Sequence, residues 1–386
     1  MRILHVIGLL NQSSGGPLRG VLDLTCLLQG YGINGELLGY GPVNIPDNPV
    51  ACELIHEIKN AGVLGHCCSH TLRGWCRNNL SRFDLVILHG LWRSDTWFVG
   101  KECIAAGIPY IVYPHGMLDL WPVRGQGVWK RLKKTVYWYW RDARLMRQAT
   151  AVFFAAKREL ENANRTFRLP APLQMVVPPA GLGREEEVQS IPTGLRGEQG
   201  TRGKVALFLG RVDPKKRPDL LIDAWAMAHV PAPWRLVIAG PGESRYVERL
   251  RDRARRKGCE TSIRFTGLVA GDEKRCLLRQ AAWFLLPSYQ ENFGIAVVEA
   301  INFGCAVAVS DQVYVADEFP SGAEILPGSV DAWTRFMRER MVDEKWRNET
   351  ADKVRTSVAH VLDEREIGRR WVTAIQECLG ASQRAI

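Results

Sequence analysis

AWFLLPSYQENFGIAVVEAINFGCAVAVSD, residues 282–311, is the stretch whose reading decides the fold. AWFLLPS is a short apolar run and reads as a buried strand. YQEN is polar and reads as a loop. Asn292 suits a helix N-cap, so a helix is expected through GIAVVEAINFG, followed by a second buried strand, CAVAVSD. Strand, helix and strand in succession form the parallel crossover unit of an α/β sheet. The helix would leave the amides of Phe293, Gly294 and Ile295 free to donate to hydroxyls or an anion. It also carries Glu299, eight residues after Glu291. A carboxylate among apolar neighbours needs donors. Ribose hydroxyls are such donors; protein N–H groups or an arginine are the alternative.

The same alternation extends in both directions. In the second half, strands are predicted at 204–211, 234–240, 262–267, 282–288, 305–311 and 323–328. In the first half they are predicted at 2–8, 35–41, 84–90, 109–116, 151–156 and 174–180, with helical segments such as PLRGVLDLTCLLQG (17–30) between them. The intervening stretch 181–204 is Gly-rich and charged, with no apolar period, and reads as a linker. Residues 331–386 read as mostly helical. The expectation is an α/β protein of two doubly wound, Rossmann-like domains, 1–185 and 204–365, facing each other across a cleft. They are joined by 186–203, and a last helix, 366–386, crosses back to the first domain. Such sheets bind ligands beyond the carboxyl ends of their strands.

Composition sets wider bounds. A chain of 386 residues has two domains as its natural prior. No apolar run reaches the roughly 20 residues of a membrane span. MRILHVIGLLNQSSGG reads as a first strand and loop, not as a signal peptide. Ten cysteines then suggest free thiols in a reducing, cytoplasmic compartment. His66, Cys67, Cys68, His70 and Cys76 cluster, but adjacent cysteines do not match common zinc spacings, so no metal site is expected. The net charge of +10 favours phosphate-rich partners: nucleotides, nucleic acid or an anionic membrane.

Candidate site residues fall at the predicted strand ends. Gly210-Arg211 closes one strand and Lys216 follows in GRVDPKKRP. Two cations converging there suit a diphosphate, and a solvated basic loop is the alternative. Gly15 and Gly16 precede Pro17 at the start of a helix, where backbone amides can approach a ligand. On these residues alone an ordinary turn is the better explanation. His115-Gly116 ends the fourth strand, and its flanking Pro114 and Gly116 favour a side chain presented at the sheet edge. His89-Gly90 ends the third strand in the same way. The chain has no Asp-x-Asp, no Walker-type GxxxxGK[ST] and no GxGxxG after its first strand. Paired carboxylates for Mg²⁺ or Mn²⁺, ATP hydrolysis and nicotinamide binding are not indicated.

GRVDPKKRPDLLIDAW and PSYQENFGIAVVEAINFGCAVAVSD, in this order on these elements, resemble glycosyltransferase family 4, the retaining enzymes with the GT-B fold. The resemblance covers nearly the whole chain, and Glu291 and Glu299 match the family's Glu, seven residues, Glu signature. It implies transfer of a hexose from a nucleoside-diphosphate sugar to an acceptor hydroxyl, with the donor as substrate and no resident cofactor or metal. Arg211 and Lys216 would hold the diphosphate and Glu299 the ribose. Glu291 with Asn292, Phe293 and Gly294 would hold the donor sugar, Gly15 and Gly16 would line the phosphate and acceptor side, and His115 would approach the reacting face. The domain 204–365 would bind the nucleotide-sugar and 1–185 the acceptor. PYIVYPHGMLDLW looks like members that build polysaccharides, which implies a glycan or lipid-linked acceptor at the inner face of the cytoplasmic membrane. Pro218 departs from the Gly that many relatives carry after the Lys, a difference confined to the loop.

RGQGVWKRLKKTVYWYWRDARLMRQ, 124–148, adds a separate feature. Trp129, Leu132, Val136, Tyr139, Ala143 and Met146 share one helical face among many basic residues. This is the pattern of a helix lying on an anionic membrane; a core helix with a basic outer face is the alternative. Two rival functions share some features. A non-hydrolysing sugar-nucleotide epimerase would keep the fold, but the glutamate spacing argues against it. A basic nucleic-acid-binding protein has only the charge in its favour, and no recognition module supports it.

Overall fold

The computed structural model describes residues 1–11, 16–44, 50, 54–58, 70–119, 128–169, 173–181, 203–319 and 322–384. The chain divides into two compact units, Met1–Gly181 with Glu364–Ile386, and Leu182–Asp363. The linker predicted at 186–203 lies, but for its last residue, outside the described residues.

The first unit is built on a seven-stranded parallel sheet ordered β3-β2-β1-β4-β5-β6-β7. Its strands are β1 (Arg2–Asn11), β2 (Asn34–Asn44), β3 (Ile55–Ile58), β4 (Leu85–His89), β5 (Tyr110–Tyr113), β6 (Ala151–Phe154) and β7 (Gln174–Val176). The helices are α1 (Gly16–Gln29), α2 (His70–Asn79), α3 (Ser94–Ala106), α4 (Val128–Tyr137), α5 (Ala143–Gln148) and α6 (Lys157–Phe167). The central strands LVILH and YIVY are buried at every position, as parallel strands covered on both faces must be. Strand β3 was not foreseen. It is an edge strand of four residues, IHEI, too short and too polar to show a period.

The second unit has a six-stranded parallel sheet ordered β10-β9-β8-β11-β12-β13. Its strands are β8 (Val205–Leu209), β9 (Arg235–Ala239), β10 (Ile263–Gly267), β11 (Trp283–Leu286), β12 (Ala306–Ser310) and β13 (Glu324–Leu326). The crossovers are α7 (Pro218–Ala228), α8 (Ser244–Arg256), α9 (Gly271–Gln280) and α10 (Ile295–Asn302), followed by α11 (Val330–Glu339) and α12 (Glu344–Leu362). In each sheet the order reverses beside the unit's first strand, the switch point at which such sheets bind ligands.

The last helix, α13 (Glu364–Arg384), belongs to the first unit. Its Trp371 is fully buried there, stacks edge-on against Phe153 and donates to the Pro178 carbonyl at 2.8 Å. Tyr31 Oη donates to the Arg365 carbonyl at 3.0 Å.

The segment 128–148 departs from the single amphipathic face expected of it. A π-helical turn, Trp138–Asp142, interrupts the helix between α4 and α5. Its extra residue per turn rotates the phase. Ala143 and Met146 are consequently buried, whereas Trp129, Leu132, Val136 and Tyr139 are exposed at 83%, 53%, 56% and 78%. Trp138 fills the core against Phe167 at 4.3 Å, and Trp140 points to solvent.

Candidate active site

In the second unit the site is assembled where β8, β9 and β11 end. Gly240 follows β9 with φ 135°, and a Cβ there would lie 1.9 Å from the Gly210 carbonyl. Two strand ends meet there so closely that only glycine fits. Gly210 in turn leaves room for the Lys216 side chain, whose Nζ would stand 3.3 Å from a Cβ at 210. Lys216 is delivered by a one-turn 3₁₀ helix, Pro214–Lys216, capped by Asp213, whose carboxylate accepts from the Lys215 amide at 2.8 Å.

The Lys216 ammonium lies 2.6 Å from Glu291 Oε2, with both side chains mostly shielded from water. The Glu291 backbone is clamped as its N–H donates to the Gln312 carbonyl and its carbonyl accepts from Tyr314 N–H, each at 3.0 Å. Burial alone would raise the Glu291 pKa, but Lys216, Lys215 and Arg211 outweigh it and hold the carboxyl below its ordinary range. Arg211 is two-thirds exposed, with Asp213 3.7 Å from its guanidinium. Three of the predicted residues, Arg211, Lys216 and Glu291, therefore act on one another.

Glu299 is placed apart from them. On α10 it is half-buried, and one carboxylate oxygen accepts from Lys274 Nζ at 2.6 Å. Lys274 was not singled out in the sequence, because GDEKRCLLRQ is a charged helix in which no one lysine stands out. Asn292 is not the helix cap predicted for it. Gly294, at φ 72°, holds the N-cap position. Asn292 Oδ1 instead accepts from Gln290 Nε2 at 2.7 Å, and its buried Nδ2 lacks a partner among the described residues. The expected free amides are present: Val297 N–H returns to the Gly294 carbonyl, and no backbone acceptor serves Phe293, Gly294 or Ile295 among the described residues. A hollow of about 410 Å³ is lined by Pro214, Asp219, Tyr246, Arg249, Arg253 and Tyr289. None of Arg211, Lys216, Glu291 or Glu299 lines it, so the charges and open amides define the site.

In the first unit Gly15 lies outside the described residues, and Gly16 is the first residue of α1, one ahead of Pro17. His115 follows β5 in the left-handed region at φ 51°, and Gly116 after it at φ 73°. The buried Glu159 carboxylate holds this turn, accepting from Gly116 N–H at 2.5 Å and from Ala155 N–H at 2.8 Å. The His115 ring stacks on Tyr113 at 4.4 Å, and its Nε2 is 2.9 Å from His89 Nδ1. His89 Nε2 lies 3.1 Å from His5 Nδ1. Burial lowers the pKa of His5 and of His115 to about 4, and burial with its two histidine neighbours holds that of His89 well below its ordinary value. His5 and Glu159 were not foreseen as site residues. The one available signal was a histidine inside the otherwise apolar run RILHVIG. The histidine–cysteine group near 66–76 lies mostly outside the described residues. Cys76 itself is a buried core residue, and no cluster able to hold a metal occurs among the described residues.

Solved structures share this architecture. That of Anabaena HepE in complex with UDP and glucose superposes with a TM-score of 0.75 over 98% of this chain and 100% of its own, at 16% identity. Sucrose-phosphate synthase from Thermosynechococcus elongatus gives 0.73 over 99% and 100%, at 17% identity. The fold is therefore GT-B, two parallel-sheet α/β domains. Residues 30–180 match the glycosyl transferase 4-like domain and residues 196–356 match the glycosyl transferases group 1 family. Between them the two matches take in most of the chain, and it belongs to the family 4 glycosyltransferases. Among curated relatives, mannosylfructose-phosphate synthase of Agrobacterium fabrum is 27% identical over 62% of this chain and 57% of its own length. The GDP-mannose:cellobiosyl-diphosphopolyprenol alpha-mannosyltransferase of Komagataeibacter xylinus is 28% identical over 47% of each. The chain thus spans little more than half the length of the first of these and less than half of the second.

Proposed function

We propose that the protein transfers a hexose from a nucleoside-diphosphate sugar to an acceptor hydroxyl, with retention and without a metal ion. The observation that carries this reading is the Lys216 ammonium held against Gly210 and Glu291, beside Arg211, where β8 ends. As the glycosidic bond breaks, negative charge grows on the β-phosphate of the leaving diphosphate. Lys216, already held in place, and the more exposed Arg211 beside it stabilise that charge. The acceptor hydroxyl attacks on the face that the diphosphate leaves, and a departing phosphate oxygen takes its proton. Glu291 is ionised at neutral pH and so has no proton to give. It orients Lys216 and accepts from a sugar hydroxyl, and the open amides of 293–295 donate to the same sugar. The half-buried Glu299 offers its second oxygen to the ribose hydroxyls. Relatives support a nucleotide-sugar donor, through UDP in the Anabaena complex and GDP-mannose in the Komagataeibacter enzyme.

The acceptor is proposed to be lipid-linked, at the inner face of the membrane. The diphosphopolyprenol in the name of the Komagataeibacter relative supports this. So do the exposed Trp129, Tyr139 and Trp140 beside Arg131 and Lys133. No described helix is long and apolar enough to cross a membrane, so contact would be peripheral.

A thermal-shift screen against UDP-, GDP-, ADP- and dTDP-sugars identifies the donor. Ligand at a hundred times its Kd adds about 2.7 kcal/mol of stability. Transfer is then followed in excess EDTA, and the anomeric configuration of the product is read by NMR. Normal transfer with retention is expected. Inversion, or activity lost in EDTA and restored by Mg²⁺ or Mn²⁺, would falsify the mechanism.

A further inference from the structure

The three histidines His5, His89 and His115 form a continuous chain of imidazoles inside the first unit. Their ring centroids are 5.3 and 5.2 Å apart, the interplanar angles are 26° and 23°, and the linking nitrogens lie at 3.1 and 2.9 Å. His5 and His89 are buried, on neighbouring strands β1 and β4, and His115 is half-buried after β5. All three rings are neutral near neutral pH, so each carries one proton for its two nitrogens.

Two internal links allow only two fully bonded arrangements. In the first, His5 Nδ1–H donates to His89 Nε2, and His89 Nδ1–H donates to His115 Nε2. The proton of His115 is then on Nδ1, and His5 Nε2 is a bare lone pair. In the second, every link is reversed. His115 Nε2–H donates to His89 Nδ1, and His89 Nε2–H donates to His5 Nδ1. His5 must then carry its proton on Nε2. That atom decides between them, because His5 Nε2 is fully buried and has no partner among the described residues. An orphaned buried N–H is rarer in proteins than an under-satisfied acceptor. The first arrangement buries a lone pair there and the second an N–H.

We propose that His5 and His89 are positioning residues that hold His115 with its proton on Nδ1, so that this ring offers a substrate oxygen a hydrogen-bond donor. His115 Nδ1 has no protein partner among the described residues and, with His5 Nε2 sealed in the core, is the one nitrogen of the three rings left for a ligand. Nδ1 already carries the proton and the lone pair on Nε2 is committed to His89, so the ring has no free lone pair with which to take a proton from substrate. It therefore acts as a donor and not as a general base. The Glu159 carboxylate fixes the adjoining Gly116 amide and so the direction of the ring. That the oxygen belongs to a sugar substrate rests on the transfer reading above; the tautomer does not.

The test is a long-range ¹H–¹⁵N correlation spectrum of the ¹⁵N-histidine-labelled protein at neutral pH, with the three rings assigned from single variants. The parent is expected to show His115 protonated on Nδ1, and a His115 protonated on Nε2 overturns the proposal without reference to any activity. In His89→Phe, which keeps a ring of similar size, His115 is expected to revert to the Nε2–H form. Loss of one aligned donor is then expected to lower kcat about tenfold, with the donor KM within about twofold. His89→Phe with the tautomer unchanged also overturns the proposal. If no sugar transfer is found with any donor, the transfer reading fails while the parent spectrum still decides the tautomer. The parent spectrum decides it equally if the variant does not fold.

Discussion

At the scale of single residues, the two glutamates of the 291–299 pair separate by their partners. Glu299 is joined to Lys274 and Glu291 to Lys216. Glu299→Gln is expected to weaken binding of the intact donor and of the free nucleoside diphosphate alike. Losing a charge-assisted bond to ribose costs about 1.5–3 kcal/mol, roughly ten- to a hundredfold in affinity. Glu291→Gln is expected to lower turnover and leave free nucleotide binding no weaker, since it removes a carboxylate from beside the cation that meets the phosphates. Calorimetric titrations of both variants, set beside initial rates, check this; nucleotide binding lost in the Glu291 variant and kept in the Glu299 variant would reverse the two roles. The buried histidines give a second expectation, in pH. Their folded pKa values lie below the unfolded value of 6.5, near 4 for His5 and His115. Protonation therefore favours the unfolded chain. Their contribution is complete above pH 6.5 and is lost as pH falls from there toward 4. Each histidine adds a slope of about 1.4 kcal/mol per pH unit in that window. Urea titrations at pH 7, 6 and 5 should show a steep loss in the parent and a shallower one in His89→Phe. Equal slopes would mean that these rings are not buried as neutral groups.

At the scale of elements, the π-helical turn 138–142 makes Trp138 and Trp140 opposites. Trp138→Ala removes a ring packed on Phe167 and should cost about 3–5 kcal/mol. Trp140→Ala and Tyr139→Ala, both on the exposed side, should each stay within about 0.5 kcal/mol. The exposed pair is expected to count in another assay. The parent should sediment with vesicles containing anionic lipid, less so at high salt as screening rises. Arg131→Glu with Lys133→Glu, or Tyr139→Ala with Trp140→Ala, should abolish this. Equal sedimentation with neutral vesicles sinks the electrostatic part of the reading. This segment also marks the limit of what the sequence discloses. A regular 3.6-residue period placed Trp129 and Met146 on one face, and one widened turn moved them to opposite environments. Long buried strands such as LVILH and AVAVS were legible because burial on both faces leaves a continuous apolar run. The four-residue edge strand IHEI has no such run to show. Arg211, Lys216 and Glu291 were legible because strand ends point them to one place. Lys274 and His5 were not, because one lysine in a charged helix and one histidine in a first strand do not point to Glu299 and His89, and only the folded chain joins them.

At the scale of the molecule, the first unit is discontinuous, made of residues on both sides of the second. Trp371 is the measure of that dependence. Trp371→Ala removes a fully buried indole and its bond to Pro178, and about 3–5 kcal/mol of stability is expected to go with it. Truncation after Asp363 should cost the first unit more and leave the six-stranded sheet of the second intact. Limited proteolysis of the truncated chain, with the fragments identified by mass, checks this; a protected first unit contradicts it. The same discontinuity sets an order of events on the ribosome. Residue 181 emerges roughly 180 residues before α13 does, and at 5–20 residues per second this is a wait of roughly 10–40 s. The second sheet gains its last strand, β13, roughly 40 residues before α13 begins, so that sheet is complete while the first still waits. The first sheet stands with Tyr31, Phe153 and the Pro178 carbonyl uncovered, so the half that is made first is the half that is finished last.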